Sequence, residues 1–234
     1  GEDETVYGTH TIEEGQVYFN TQVWAVMSSA ATPEQAKLCL EAVKEKLATP
    51  YGLMLCAPPF EKTTVDVMRA VVFNKGIKEN AGIFNHTQGW GIIAETMLGN
   101  GDRAYEYCKA ALPAAYNDKA EIRQAEPYVQ CQTTYSVYSP RPGNARVSWR
   151  SGAAAWSYYS LTQYLLGIRP VYEGLMIDPC IPSTWDGFEA EREFRGCTVK
   201  IKVENPKHLC KGVKSLTING KTVDGNVIFA DNLT

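Results

Sequence analysis

The chain has 234 residues, 44% apolar and 21% charged, close to the average of globular proteins, so a sizeable core is available. Lys and Arg number 23 against 26 Asp and Glu, a formal net charge of −3 without a local basic run, which excludes a generic nucleic-acid binder. No apolar stretch approaches the roughly 20 residues of a membrane span, so no membrane partner is expected.

Along the chain, the acidic opening Gly1-Glu2-Asp3-Glu4-Thr5 lacks both Met and a signal-like segment, so the chain is expected to be cut from something longer. Thr32-Pro33-Glu34-Gln35 reads as an N-cap, a proline at the first helical position and a glutamine placed for a capping box. Ala36, Leu40, Val43 and Leu47 recur behind it at helical spacing until Thr49-Pro50. A second helix is predicted over 90–98, ended by Gly99-Asn100-Gly101, and Asp102 is placed to cap the next one. Glu126-Pro127-Tyr128-Val129-Gln130-Cys131-Gln132 reads as extended, with alternating polar side chains. A further helix is predicted from Ser151 as N-cap to Leu166, with Gly167 in the left-handed position after it. Up to about 170 the pattern is an all-α layer of helices roughly 10 to 16 residues long.

After Gly174 the pattern changes to short strands: Leu175-Met176-Ile177, then 188–194, 198–203 and 214–218. Val199, Ile201 and Val203 alternate onto one face, and Asn219-Gly220 is a strong hairpin signal. These strands predict a small antiparallel β-sandwich packed against the helical part. The seven cysteines include no Cys-x-x-Cys pair and no histidine at zinc spacing. They read as reduced thiols of a cytoplasmic protein, with no metal site and no disulfide framework. The sequons at Asn85 and Asn232 carry no meaning without a secretory context.

Two segments hold the candidate chemistry. Residues 78–90 pack a lysine, a glutamate, two asparagines, His86, Gln88 and Trp90 around two glycines just ahead of a helix. Paired donors and acceptors beside an aromatic face suit a carbohydrate or a small anion. Trp149-Arg150-Ser151-Gly152-Ala153-Ala154 puts a hydroxyl and a glycine at a helix start, which suits an anion. Taken singly, each has an ordinary structural reading: a helix-leading loop with a core histidine, and a plain cap ahead of close-packing alanines. No P-loop, dinucleotide fingerprint or Gly-x-Ser-x-Gly occurs, and no reaction follows from the residues alone.

Five blocks in order carry a resemblance. They are Thr49-Pro50-Tyr51-Gly52-Leu53, residues 78–90, Glu126-Pro127-Tyr128-Val129, Ser148-Trp149 with Ser151-Gly152, and Ile177-Asp178-Pro179-Cys180-Ile181-Pro182. Together the chain resembles the disaccharide phosphorylases of glycoside hydrolase family 94, the cellobiose and chitobiose phosphorylase group. The resemblance implies that residues 1–170 are the last part of an (α/α)6 catalytic barrel and 171–234 a C-terminal β-sandwich, an α+β chain. It implies inverting phosphorolysis of a β-linked, cellobiose-like disaccharide to a sugar 1-phosphate and a free sugar. Inorganic phosphate is then a co-substrate and no cofactor is needed.

By the same resemblance His86, Ser151 and the Gly152 backbone hold phosphate, Gln132 contacts the sugar, and Lys78 lies near the departing or acceptor sugar. Where cellobiose-type members carry an acceptor-binding acid this chain has Arg69, and Phe73 stands for a usual tyrosine. An altered acceptor site is expected, with Arg69 placed to pair the carboxylate of a sugar acid; a surface arginine in a drifted loop is the other reading. The family's catalytic Asp lies in a Trp-Asn-Asp motif that does not occur here. The chain is therefore expected to depend on a missing N-terminal part of the same protein and to be inactive alone. Family members are commonly homodimers, so a homodimer is expected. Two alternatives stay open: a hydrolase, transferase or glucan-synthase module on a related helical barrel, separated by phosphate dependence, and a non-catalytic carbohydrate-binding module, which would bind sugar without phosphate.

Overall fold

The computed structural model describes residues 4–232. The opening Gly1-Glu2-Asp3 and the Leu233-Thr234 end of the Asn232 sequon lie outside the described residues. Helix α1 (Phe19–Met27) precedes α2 (Pro33–Lys46), whose start matches its sequence. The Thr32 hydroxyl accepts from Gln35 N at 3.3 Å, and the Gln35 side chain accepts from Thr32 N at 2.9 Å. This reciprocal box satisfies donors that no helical carbonyl reaches. Ala36, Leu40 and Val43 are buried along one face, as their spacing requires.

The predicted helix over 90–98 begins five residues earlier, as α3 (Asn85–Met97), followed by α4 (Gly101–Ala111), the short α5 (Ala120–Arg123) and α6 (Ser151–Ser160). A single π-turn, Leu161–Leu165, extends α6, and Gly167 follows with φ +68°, as predicted. Helix α3 is central: Ile92, Ile93 and Ala94 are buried, and Ile92 shares one apolar cluster with Phe19 and Val23 of α1, Leu40 and Val43 of α2, and Ala104 and Tyr107 of α4. Gly89 admits a close neighbour. A Cβ there would stand 2.7 Å from the Trp156 carbonyl of α6, so α3 and α6 approach backbone to backbone.

Asp102 is no cap. It lies in the first turn of α4, and its carboxylate accepts from Ser183 N (2.7 Å) and the Ser183 hydroxyl (3.0 Å). A partner 81 residues away thus takes the group that local reading assigned to its own helix. Buried Glu95 of α3 accepts from Asn100 (2.7 Å) and from Arg103, which also holds Glu41 of α2 at 2.7 Å. Burial pushes the Glu95 carboxyl upward.

The helical part is not all-α. Strands β1 (Val17–Tyr18), β2 (Ala48–Thr49), β3 (Gly52–Leu53) and β4 (Cys56–Ala57) pair β1 with β4 and β2 with β3. Then β5 (Ile83–Phe84), β6 (Thr133–Thr134) and β7 (Ala145–Arg146) form an antiparallel three-stranded sheet. Pairs this short carry no readable alternation, so the pattern before 170 hid them. The described helices close no barrel.

Beyond the π-turn every pairing is antiparallel. β8 (Ile168–Pro170) lies beside β9 (Gly174–Ile177), β10 (Gly187–Phe194) pairs with β11 (Cys197–Glu204), and β12 (Leu216–Ile218) with β13 (Lys221–Val223) across Asn219-Gly220. β14 (Val227–Phe229) returns to β9. Their inner faces share a second apolar cluster of Ile168, Leu175, Ile177, Ile201 and Ile228, flanked by Val199 and Val203 as the alternation predicted. Lys211 bridges to the helices, donating to the Thr96 carbonyl (3.0 Å) and the Asp178 carboxylate (3.2 Å). Among the described residues no cysteine is in a disulfide, and no helix is long and apolar enough to cross a membrane.

Candidate functional site

The starts of α3 and α6 are held by one stretch of chain. The carbonyl of Gln132 accepts from Asn85 N at 2.9 Å, at the first residue of α3, and the carbonyl of Gln130 accepts from Arg150 N at 3.0 Å, just ahead of α6. The two carbonyls are two residues apart, about 7 Å along extended backbone, so the two helix starts become neighbours. Gln130 also donates through Nε2 to the Ser157 hydroxyl of α6 at 3.1 Å. The stretch 126–132 is thus a rail with a turn at its front, and the regular strand begins only at Thr133.

Arg123 fixes the rail. It is 6% exposed, and its guanidinium donates to the carbonyls of Glu126 and Val129, with Cys131 Sγ at 3.8 Å. Among the described residues no carboxylate pairs with this buried cation. Five rigid N–H donors suit it to converging carbonyls as no other side chain does. Sequence reading missed Arg123; nothing in its neighbourhood marks one arginine out, and only the return of residues 126–131 past it gives it a task.

Ser151 is not the N-cap of α6. Arg150 takes that position with φ −96° and ψ 104°, and no side chain caps the helix; Ser151 and Gly152 occupy its exposed first turn. The bond from Arg150 N to the rail sets the frame one residue earlier than the local pattern suggests. Nothing lies within 4 Å of the position a Cβ on Gly152 would take. The N–H groups of Ser151, Gly152 and Ala153 meet no acceptor among the described residues, leaving a partly positive helix end open.

His86 lies in the first turn of α3 rather than in a loop, because β5 runs directly into the helix. That start also lacks a side-chain cap. The imidazole is half-buried between the rings of Phe84 and Trp90, both edge-on at 5.5 Å. Neither ring nitrogen has a hydrogen-bond partner among the described residues. Burial lowers its pKa, so at neutral pH the ring is uncharged and offers one donor and one acceptor. Trp90 stacks edge-on to Trp156 of α6 at 5.7 Å, carrying the aromatic run from one helix to the other.

Of the predicted sugar contacts, Gln132 belongs to this group through its rail position. Lys78 and Phe73 form a second group, with the ammonium 5.1 Å from the ring centroid. Lys78 has φ +48° inside a tight turn, and a Cβ on Gly82 would stand 2.3 Å from Lys78 N, so that turn admits only glycine. Asn80, 1% exposed, ties the loop by accepting from Phe60 N (2.7 Å) and donating to the Phe73 carbonyl (2.9 Å). Arg69 opens the neighbouring 3-10 turn Arg69–Val72, exposed and with no ion pair among the described residues. No hydrogen bond or ring contact joins the two groups among the described residues. A cavity of about 540 Å³ bordered by Pro50, Glu106, Lys109 and Tyr116 includes neither group.

Comparison with known proteins gives this arrangement a setting. The family model described as "Glycosyl hydrolase 94 superfamily, catalytic domain" matches residues 1–167. The N,N'-diacetylchitobiose phosphorylase of Vibrio proteolyticus is 42% identical over 94% of this chain and 28% of its own length; that of Vibrio furnissii is 40% identical over 93% and 27%. The solabiose phosphorylase of Paenibacillus borealis is 36% identical over 97% of this chain and 30% of its own. The chain thus spans under a third of the length of these relatives.

Proposed function

The chain belongs to the glycosyl hydrolase 94 superfamily, and on that premise we propose that it supplies the phosphate site and part of the sugar site of a disaccharide phosphorylase. The observation that carries the reading is the pair of uncapped helix starts on one rail, with a neutral imidazole at one and three free N–H groups at the other. An inorganic phosphate there takes hydrogen bonds from Ser151, the Gly152 backbone and His86, and the helix dipole favours its charge.

Phosphate is itself a nucleophile. In a phosphorylase it attacks the anomeric carbon from the face opposite the departing sugar, inverts it, and takes the place of the base-activated water of an inverting hydrolase. One carboxylic acid must protonate the leaving oxygen. We assign that acid to a part of the protein beyond residues 1–234, since the Trp-Asn-Asp motif of the family does not occur among them. Residues 1–170 then belong to the catalytic (α/α)6 domain and 171–234 to a C-terminal β-sandwich. Gln132 contacts the sugar beside the phosphate, and Lys78, Phe73 and Arg69 line the acceptor side.

The substrate class is a β-linked, cellobiose-like disaccharide. The relatives' names, chitobiose and solabiose phosphorylase, support phosphorolysis of a disaccharide over plain hydrolysis. The test is phosphate binding by the chain, followed by ³¹P line width: broadening is expected, and its persistence in both His86→Ala and Ser151→Ala would overturn the site. The chain alone is expected to release no sugar 1-phosphate from cellobiose and phosphate; release would overturn the assignment of the acid. Arg69 is tested in the longer protein with glucose, glucosamine and gluconate as acceptors for glucose 1-phosphate, where preference for plain glucose sinks the sugar-acid reading.

A further inference from the structure

Residues 147–150 turn sharply ahead of α6. Val147 (φ +56°) and Trp149 (φ +62°) both adopt the left-handed region, which a β-branched and a bulky residue occupy only when their surroundings impose it. The imposition is visible: Gln132 N donates to the carbonyls of Arg146 (3.1 Å) and Val147 (2.8 Å), and Arg150 N is tied to Gln130. Between these anchors the Trp149 indole is thrown outward, 71% exposed. It is nevertheless oriented, because Nε1–H donates to Glu126 Oε1 at 2.9 Å; the Ser148 hydroxyl reaches the same oxygen at 3.5 Å.

An outward indole held by its N–H leaves only its face to offer. Tyr128, on the stretch between the Glu126 and Gln130 anchors, is 78% exposed. The Glu126 carboxylate is exposed and accepts only, with lone pairs left for a ligand hydroxyl. A hydrogen bond from its own backbone, then that from Trp149, holds the Glu126 carboxyl below its usual range, so it is ionised at neutral pH. A flat aromatic face beside an acceptor-only carboxylate suits a pyranose, with C–H groups on the ring and hydroxyls on the carboxylate.

We propose that Trp149 is a sugar-stacking residue at the mouth of the α6 helix start, and that Glu126 is its positioning residue, setting the indole plane and binding a sugar hydroxyl. This rests on the phosphorylase reading for the choice of a neutral sugar as ligand, and it adds a binding face outside Lys78, Phe73, Arg69 and Gln132.

Saturation-transfer NMR of the 234-residue chain with cellobiose tests it. Transfer to pyranose C–H protons is expected in the unaltered chain, to fall about tenfold in Trp149→Ala, the loss of one stacked ring, and to persist in Trp149→Phe. Glu126→Gln keeps an acceptor and should retain transfer, whereas Glu126→Ala should lose it and shift the Trp149 indole N–H resonance. Thermal melts confirm that each variant is folded, which Trp149→Phe and Glu126→Gln are best suited to be. No transfer in the unaltered chain, or equal transfer in Trp149→Ala, overturns the proposal. Preferential binding of a quaternary ammonium over cellobiose overturns it too. Transfer that survives in a chain showing no ³¹P broadening leaves this site standing and removes the phosphate reading; broadening without transfer does the reverse.

Discussion

The starts of α2 and α6 solve the same problem in opposite ways. Both expose backbone donors that no helical carbonyl can reach. At α2 the residues of the helix itself close them, Thr32 on Gln35 N and Gln35 on Thr32 N. At α6 no side chain closes them, and the frame is set from outside by the bond of Arg150 N to Gln130. The α2 start is closed by its own residues, as no other α-helix start among the described residues is. A helix start left open, and fixed by distant chain instead, is available to a ligand.

The largest break in this contrast is expected at Arg123, which holds the rail. Arg123→Met leaves the carbonyls of Glu126 and Val129 without their charged donor and should cost about 3 kcal/mol, read from urea unfolding. Because the rail anchors α3 and α6, ³¹P broadening by phosphate should weaken with it, at denaturant concentrations where the chain is still folded. Unchanged stability would remove Arg123 from that role.

Thr32→Ala at the closed start should cost about 1 kcal/mol by thermal or urea unfolding and leave phosphate binding untouched. A change in phosphate binding would mean the two helix ends are not independent. The converse substitution sharpens the contrast. Arg150→Ser places a capping hydroxyl at α6, and beside Arg150→Ala, which removes the same charge without adding a cap, it should gain roughly 0.5–1 kcal/mol. It should also bind phosphate more weakly than the alanine variant, since its hydroxyl competes for the same N–H groups. Equal phosphate affinities would show those groups are not the site.

The smallest effect concerns pH. Burial lowers the pKa of folded His86, so as pH falls through about 6.5 the unfolded chain takes up the proton first and stability declines. The contribution is complete above the unfolded value and is lost between it and the lower folded value. His86→Ala should flatten the stability profile over that window, and bound phosphate should flatten it as well by favouring the imidazolium.

Legibility in the sequence followed the same divide. The α2 box, the alternation of β11 and the Asn219-Gly220 hairpin are written in residues a few positions apart, and each stands where the sequence put it. His86, Ser151 and Gly152 were legible as chemistry but not as geometry: a serine ahead of small residues reads as a cap, and a histidine in a polar segment ahead of a helix reads as part of its leading loop. Asp102 failed likewise, because its partner Ser183 belongs to the far end of the chain. Arg123 carried no signal, and Glu126 and Trp149, though they fell in blocks of the resemblance, carried none of their pairing, since what defines each is a partner brought near by folding.

By itself, then, the amino-acid sequence determined the family, the change from helix to strand near 170, and the residue types that can bind an anion and a sugar. Only the tertiary structure decided that α3 and α6 begin side by side and uncapped, with an outward indole at their mouth. The reason is physical: propensity, capping boxes and alternation act over a few residues, whereas the hydrogen bonds of Gln130, Gln132 and Arg123 exist only once packing has brought their partners into reach.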